Sequence, residues 1–347
     1  MRRNRLSALL VAVGLLGAAC AGGPGASPGP TTPAASPTAG ETTPPAEKPK
    51  VALILGTPRN DLGWSQAGYE GATKLQQEGL IDLTVVDNVT YSSAAVEPVV
   101  TQFAEQGYDL VIAHSFSYGD ALEKLHTRYP DTAFAWAGGV GGSYDNVADY
   151  DQPFHEGGYL LGILAGALTE TGVLGGTAGF DIPVCHSMLE AFKLGAREIR
   201  PDVKMRMTFI GSWVDVEKTK EATLAMADQG ADQFISCGVP EGTIPGAVER
   251  NATAYGYVVD QSSLAPQNIA ASMVWNLSET FRQMVQDVQA GTFVPAKYYS
   301  VGVKDDGILI KVNPEYGKPI PEEALAKMDE VIQKIKAGEF EVPFVPE

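Results

Sequence analysis

The chain predicts two α/β lobes in tandem, each a doubly wound parallel sheet, joined by a hinge that the backbone crosses several times. Three observations carry this. Apolar strand-like runs alternate with amphipathic helical patterns from Lys50 onward, the succession that builds parallel sheets covered by helices on both faces. The alternation comes in two series, separated by a glycine-rich break at Gly138, Gly139, Gly141 and Gly142. The body from residue 50 to residue 347 is about twice a typical domain.

Ahead of that body, residues 1–19 start with Arg2, Arg3 and Arg5, run apolar from Leu6 to Leu16 and end in Gly17, Ala18 and Ala19 before Cys20. This is the pattern of a secretory signal, too short to span a bilayer as a permanent helix. The small residues before Cys20 resemble a bacterial lipobox, so Cys20 is expected to carry a lipid as the first mature residue. Cleavage near Ala19 by an ordinary signal peptidase is the alternative. Residues 20–49 are Gly, Ala, Ser, Thr and Pro with few larger apolar side chains. Such a segment buries too little surface to offset its ordering entropy and is expected to be a disordered tether.

The first series places strands at 50–55 (KVALIL), 82–87, 108–113 and 132–137, with helices at 64–77, 94–106 and 118–129. After the glycine break and the short strand NVADY, a helix at 155–168 opens the second series. Its strands fall at 173–180, 205–211, 231–238 and 254–260, and its helices at 185–199, 216–229 and 244–251. A helix over 274–289 and a strand pair at 298–303 and 307–312 follow, so the chain is expected to return to the first lobe and cross again. The lobes are thus 50–151 plus about 272–298, and 152–271 plus about 299–347. A last helix at 322–336 aligns Leu325, Met328, Ile332 and Ile335 for packing. The strongest apolar run of the body, YLLGILAGAL at 159–168, suits a buried helix rather than a membrane span.

Charge excludes one class of partner. The formal charge of −17 becomes −20 once the three signal arginines are removed, and so acidic a surface repels phosphate backbones. Enzyme signatures are missing as well: no GxSxG elbow, HExxH helix, Walker loop or complete GxGxxG follows a strand. His186 beside Cys185 is not ligand spacing, so neither metal nor cofactor is expected. Two lobes on a multi-crossing hinge are the architecture of a periplasmic-type binding protein. The turn NDLGWSQAGYEG (60–71) joins a buried strand to a helix, where open α/β sheets bind ligands. Trp64, with Asn60, Asp61 and Ser65 around it, reads as one jaw of a small-molecule site.

That segment, with GYDLVIAHSFSYGDAL, HEGGYLLGILAGALT, GFDIPVCHSMLEAFKLGAR, GSWVDVEKTKEATLAMADQGADQFI, GYVVDQ and VWN, closely resembles the basic membrane protein (Bmp) family. These are substrate-binding lipoproteins of ABC transporters, similar to purine nucleoside receptors of spirochaetes. The resemblance covers Lys50 to Phe344 in order and spacing. It implies a type I periplasmic-binding-protein fold, capture of a purine-like solute and delivery to a membrane permease by a lipid-anchored, extracytoplasmic protein, which is expected to be monomeric.

The same resemblance implies the ligand set. Trp64 stands where the family stacks an aromatic on the purine, and Trp213 in GSW is the match for the aromatic that closes from the other lobe. Asn60, Asp61, Ser117 and Asp120 are placed for the polar edge of the base. Asp61 is equally a helix cap, and Asp120 a first-turn residue. Asp181 and Pro183 in GFDIP resemble the family's cleft loop, or serve a turn. Nucleoside-binding members resemble GVDSDQ where this chain has GYVVDQ, so Val258 replaces a carboxylate, and Trp275 or Asn276 falls where they have a lysine. Both losses remove partners of a ribose, which favours a nucleobase. Asp260 is a contact or a strand-end cap. Trp136 and Trp275 read as packing, with Trp275 at the start of a helix. A sensory receptor of the same fold, and a simple sugar stacked between the tryptophans, are the alternatives.

With Cys20 lipidated, Cys185 and Cys237 remain as a pair in an oxidising compartment. One opens the helix after the first second-lobe strand and the other ends the third strand. In a 2-1-3 strand order these strands are neighbours, so a disulfide is expected, with two buried thiols as the alternative.

Overall fold

The computed structural model describes residues 47–151 and 153–346. The signal peptide, Cys20 and nearly all of the tether lie outside the described residues.

Two six-stranded sheets organise the body. The first contains β1 (Lys50–Leu55), β2 (Asp82–Val86), β3 (Leu110–His114), β4 (Ala133–Trp136) and β5 (Val147–Asp151). The second contains β6 (Val173–Ala178), β7 (Lys204–Phe209), β8 (Gln233–Cys237), β9 (Thr253–Gly256) and β10 (Ile269–Trp275). Two late strands, β11 (Tyr299–Ser300) and β12 (Ile308–Val312), complete them. The orders are β11-β5-β4-β3-β1-β2 and β12-β10-β9-β8-β6-β7. All pairings are parallel except β12 against β10. Each sheet thus reverses its strand order beside its first strand, between β1 and β3 and between β6 and β8, and such switch points open a crevice at the carboxyl ends of the strands. The two-lobed α/β architecture expected from the periodicity is the one observed.

Helices α1 (Trp64–Gln77), α2 (Ser93–Glu105) and α3 (Gly119–Leu125) cover the first sheet. Helices α4 (Phe154–Leu168), α5 (Pro183–Arg197), α6 (Val216–Asp228) and α7 (Pro240–Glu249) belong to the second. Then α8 (Leu277–Ala290) packs on α1, and α9 (Glu322–Ala337) packs on α4. The apolar run of α4 is buried because it docks on α5 through a seam of glycines. A Cβ on Gly158 would come within 2.5 Å of the Met188 carbonyl oxygen, and Gly162 and Gly166 meet the carbonyls of Phe192 and Ala196 as closely. Such close approach of two backbones needs residues without side chains. No helix among the described residues is long and apolar enough to cross a membrane.

The return to the first lobe differs from expectation. Residues 269–275 form a strand buried between β9 and β12, not the start of a helix, and α8 begins only at Leu277. The second lobe therefore extends through Trp275, and the crossing lies at Asn276 rather than near residue 272. The expected strand pair is split as well. Tyr299 and Ser300 pair with β5 in the first sheet, while Ile308–Val312 pairs with β10 in the second. Residues 299–300 thus belong to the first lobe, and the last crossing follows Ser300. A helical and a buried-strand reading of an apolar stretch share one composition, and here the vacant place beside β9 decides between them.

Candidate functional site

The carboxyl end of β1 leads into a turn built around one carboxylate. Asp61 accepts the backbone N–H groups of Gly63 (2.9 Å), Ser65 (3.1 Å) and Gln66 (3.0 Å) at the start of α1. These are the donors a helix N-terminus leaves without partners, and an anion there is favoured further by the helix dipole. Asp61 also accepts the Thr57 hydroxyl at 2.6 Å. With its proton committed, Thr57 Oγ1 is left to accept from Ser65 Oγ (2.7 Å) and from the Tyr91 hydroxyl (3.1 Å). The turn is thereby locked to the loop after β2.

This lock positions Trp64. Its indole N–H donates to the His114 carbonyl at 3.0 Å, and its ring stacks on the His114 imidazole with centroids 4.9 Å apart and planes 15° apart. His114 returns the bond: Nε2 lies 2.9 Å from the Trp64 carbonyl and Nδ1 2.6 Å from the Tyr150 hydroxyl. A carbonyl only accepts, so Nε2 carries the proton and Nδ1 accepts from Tyr150. Burial pushes the His114 pKa down to about 4, which keeps this tautomer neutral at pH 7.

On the same lobe, the glycine-rich break is a loop wrapped around a fully buried carboxylate. Asp149 Oδ1 accepts from the N–H groups of Gly138 (2.9 Å) and Gly139 (2.8 Å), and Oδ2 from Val140 (2.9 Å) and Gly142 (3.0 Å). The second lobe answers with an apolar wall. The indole of Trp213, after β7, rests on Gly179 and Gly238 at the ends of β6 and β8, and a Cβ on Gly238 would come within 2.6 Å of the ring. Phe180 lies against it, with centroids 5.1 Å apart. Behind this wall, Cys185 and Cys237 are joined by a disulfide with Cα atoms 5.5 Å apart. The β7-β6-β8 order makes their strands neighbours, as the cysteine placement requires.

Between the lobes lies a cavity with about 610 Å³ free of protein atoms, part of it open to solvent. Every strand from β1 to β9 sends it a residue from its carboxyl end: Trp64, Tyr91, Ser115 and Phe116, Ala137 and Gly138, and Asp151 with Phe154 from the first series; Ile182, Val184 and Cys185, Trp213, Gly238 and Tyr257 from the second. Six of these side chains are aromatic, and Asp151, 4% exposed, supplies the one carboxylate among them. The two lobes also touch at the rim. The Gln261 amide donates to the Leu62 carbonyl at 2.7 Å, and Glu241 lies close to Gly63. Burial pushes the Glu241 carboxyl above the usual carboxylate range, and the Asp61 charge adds to this.

The Bmp family, described as ABC transporter substrate-binding protein PnrA-like, matches residues 48–344. The chain belongs to the Bmp family. Its similarity to individual Bmp-type proteins extends over most of each chain. A purine-binding protein of Brucella abortus (strain 2308) is 29% identical over 297 residues, 85% of this chain and 83% of that protein. Basic membrane protein A2 of Borrelia garinii subsp. bavariensis is 24% identical over 306 residues, 85% of this chain and 88% of that one. A solute-binding protein of an ABC transporter system from Conexibacter woesei DSM 14684 shares the fold, with a TM-score of 0.70 and 23% identity over 85% of this chain and 99% of that one. The protein is accordingly an extracytoplasmic solute receptor of type I binding-protein fold, not an enzyme. Its partners are a small molecule and a membrane permease.

Of the residues expected at a Bmp site, the structure brings Trp64 and Trp213 to one cavity from opposite lobes. The others stand elsewhere. Asn60 is exposed, and Asp61 is consumed by the turn. Ser117 donates its N–H to Ser115 Oγ, and it is Ser115 that lines the cavity. Asp120 is exposed in the first turn of α3. Asp181 pairs with His186 at 2.9 Å, and Pro183 opens α5. Asp260 is exposed and accepts the Ser262 N–H at 3.1 Å. Trp275 ends β10 and packs behind Trp64, with centroids 4.8 Å apart. Tyr91, Ser115, Phe116, Asp151, Phe154 and Tyr257 were not expected. One signal would have found most of them: each lies within a few residues of the carboxyl end of a strand.

Proposed function

We propose that the receptor captures a planar purine-like heterocycle, a nucleobase in preference to a nucleoside, between Trp64 and Trp213, and that a lipid on Cys20 holds it at the cell membrane. The observation that carries this reading is that indoles from two lobes reach one cavity, with four further aromatic residues and a single carboxylate beside them. Offset stacking on aromatic faces favours a flat ring system, and exclusion of water strengthens the few polar contacts. The purine-binding protein of Brucella abortus, similar over most of both chains, supports the ligand class. The preference for a base rests on the lining. Val258 is fully buried, Trp275 is 3% exposed, neither faces the cavity, and among the described residues no Lys or Arg does. Asp151 is the acceptor for ring or exocyclic N–H groups.

Titration calorimetry of the purified protein against adenine, guanine, hypoxanthine, their nucleosides, and glucose tests the reading. A nucleobase is expected to bind most tightly. Tighter binding of the nucleosides removes the base preference, and binding of glucose alone removes the purine reading. For the anchor, Cys20→Ser is expected to move the protein from the membrane fraction to the soluble one.

A further inference from the structure

We propose that Gln261 is the latch that holds the two lobes together at the rim of the cleft. The residue touches neither the cavity nor the hinge, and it makes its contacts from a position with no exposed surface. Every polar group of it is directed. Its backbone N–H donates to Ser272 Oγ at 3.1 Å, its Oε1 accepts the Tyr257 N–H at 2.9 Å, and Nε2 reaches across to the Leu62 carbonyl at 2.7 Å. The Ser272 bond holds the backbone within the second lobe, and the Tyr257 bond fixes which end of the amide faces the first. A carboxamide in this place presents a donor where a carbonyl waits, which an acid of the same shape does not.

The receiving end is equally prepared. Leu62 sits at φ 53°, a left-handed conformation that costs a bulky residue energy and persists only where its surroundings impose it. The Asp61 bonds to Gly63, Ser65 and Gln66 impose it, and Leu62 N–H donates to Gln66 Oε1 at 3.1 Å. On the opposite lobe Val258, at φ 56°, lies between cavity-lining Tyr257 and Gln261, and its carbonyl accepts the Trp275 N–H at 2.8 Å. Two strained residues, one per lobe, thus flank this bond between lobes. The same turn carries Trp64 and the same loop carries Tyr257, so the latch couples closure to the two jaws without contacting what they hold. This inference concerns closure and stands whether or not the ligand is a purine.

Spin labels on the full chain carrying Cys20→Ser, introduced by Asp120→Cys and Asp181→Cys at exposed positions on opposite lobes, report the inter-lobe distance by pulsed electron resonance. The unliganded protein with Gln261 intact is expected to populate a short distance. Gln261→Ala and the isosteric Gln261→Glu are each expected to lower the closed-to-open ratio about tenfold, the size of one directed hydrogen bond. Their melting temperatures separate this from misfolding, and Gln261→Glu preserves packing where Gln261→Ala leaves a void. An unchanged ratio in the folded Gln261→Glu protein, or no short-distance population with Gln261 intact, overturns the proposal.

Discussion

The two jaws of the cleft hold their tryptophans by different means. Trp64 is embedded in a polar lattice: its indole N–H and its carbonyl are both bonded to His114, its ring is stacked on that imidazole, and Trp275 backs it. Trp213 makes a shallower contact, lying across two glycines beside Phe180, which is 40% exposed, on a wall made rigid by a disulfide. The first jaw is organised by hydrogen bonds, although both indoles are half-buried against the apolar core. The second is a platform beside a disulfide, and its aromatic surface lines the cavity. Equal aromatic content therefore implies unequal consequences on truncation.

Four expectations sharpen or break this contrast. Trp64→Ala is expected to destabilise the protein by about 4 kcal/mol, as for large core aromatics, because His114 loses its stacking partner and Trp275 is uncovered. Urea unfolding would measure this, and a change below about 1 kcal/mol would erase the difference between the jaws. Replacing both cysteines, as in Cys185→Ser with Cys237→Ser, is expected to cost about 2–4 kcal/mol through the chain entropy regained by the unfolded state. Calorimetry would place that loss in the second lobe if the lobes melt separately.

The third expectation concerns pH. His114 has its pKa lowered to about 4 by burial, so below the ordinary histidine range the unfolded chain binds a proton that the folded protein refuses. Stability due to this group is complete above about pH 6.5 and falls as pH drops toward 4, by about 3 kcal/mol in all. His155, also lowered to about 4 by burial, acts in the same direction. Chemical unfolding at pH 7 and pH 4.5, with and without His114→Gln, measures the first-jaw share. The smallest effect on stability belongs to Trp213→Ala, expected within about 1 kcal/mol of the parent. That variant should nevertheless lose at least about tenfold in affinity for the best purine of the panel.

Much of the fold was legible because its signals are local. Apolar runs such as KVALIL and amphipathic stretches such as WSQAGYEGATKLQQ report their own period, and the structure forms them as β1 and α1. The disulfide was legible from compartment and strand order. The strand IAASMVW was not assigned, and its last two residues were given to the following helix, because a buried strand and a buried helix have the same composition. Polar residues expected at the site, such as Asp61 and Asp120, do not line the cavity, for a related reason. An aspartate after a strand has the same local sequence whether it caps a helix, as Asp61 does, or faces a cavity, as Asp151 does.

The sequence by itself determined that this is a two-lobed α/β protein with a tryptophan near the end of a strand in each lobe, since periodicity and strand-end turns are written in neighbouring residues. Only the tertiary structure decided which side chains converge. The convergence of Asp151, Tyr91 and Tyr257, the wrapping of residues 138–142 around Asp149, and the meeting of Gln261 with Leu62 each depend on the stacking of distant strands and the closing of one lobe on the other. Burial and hydrogen-bond satisfaction are set by that packing, and no window of the chain contains it.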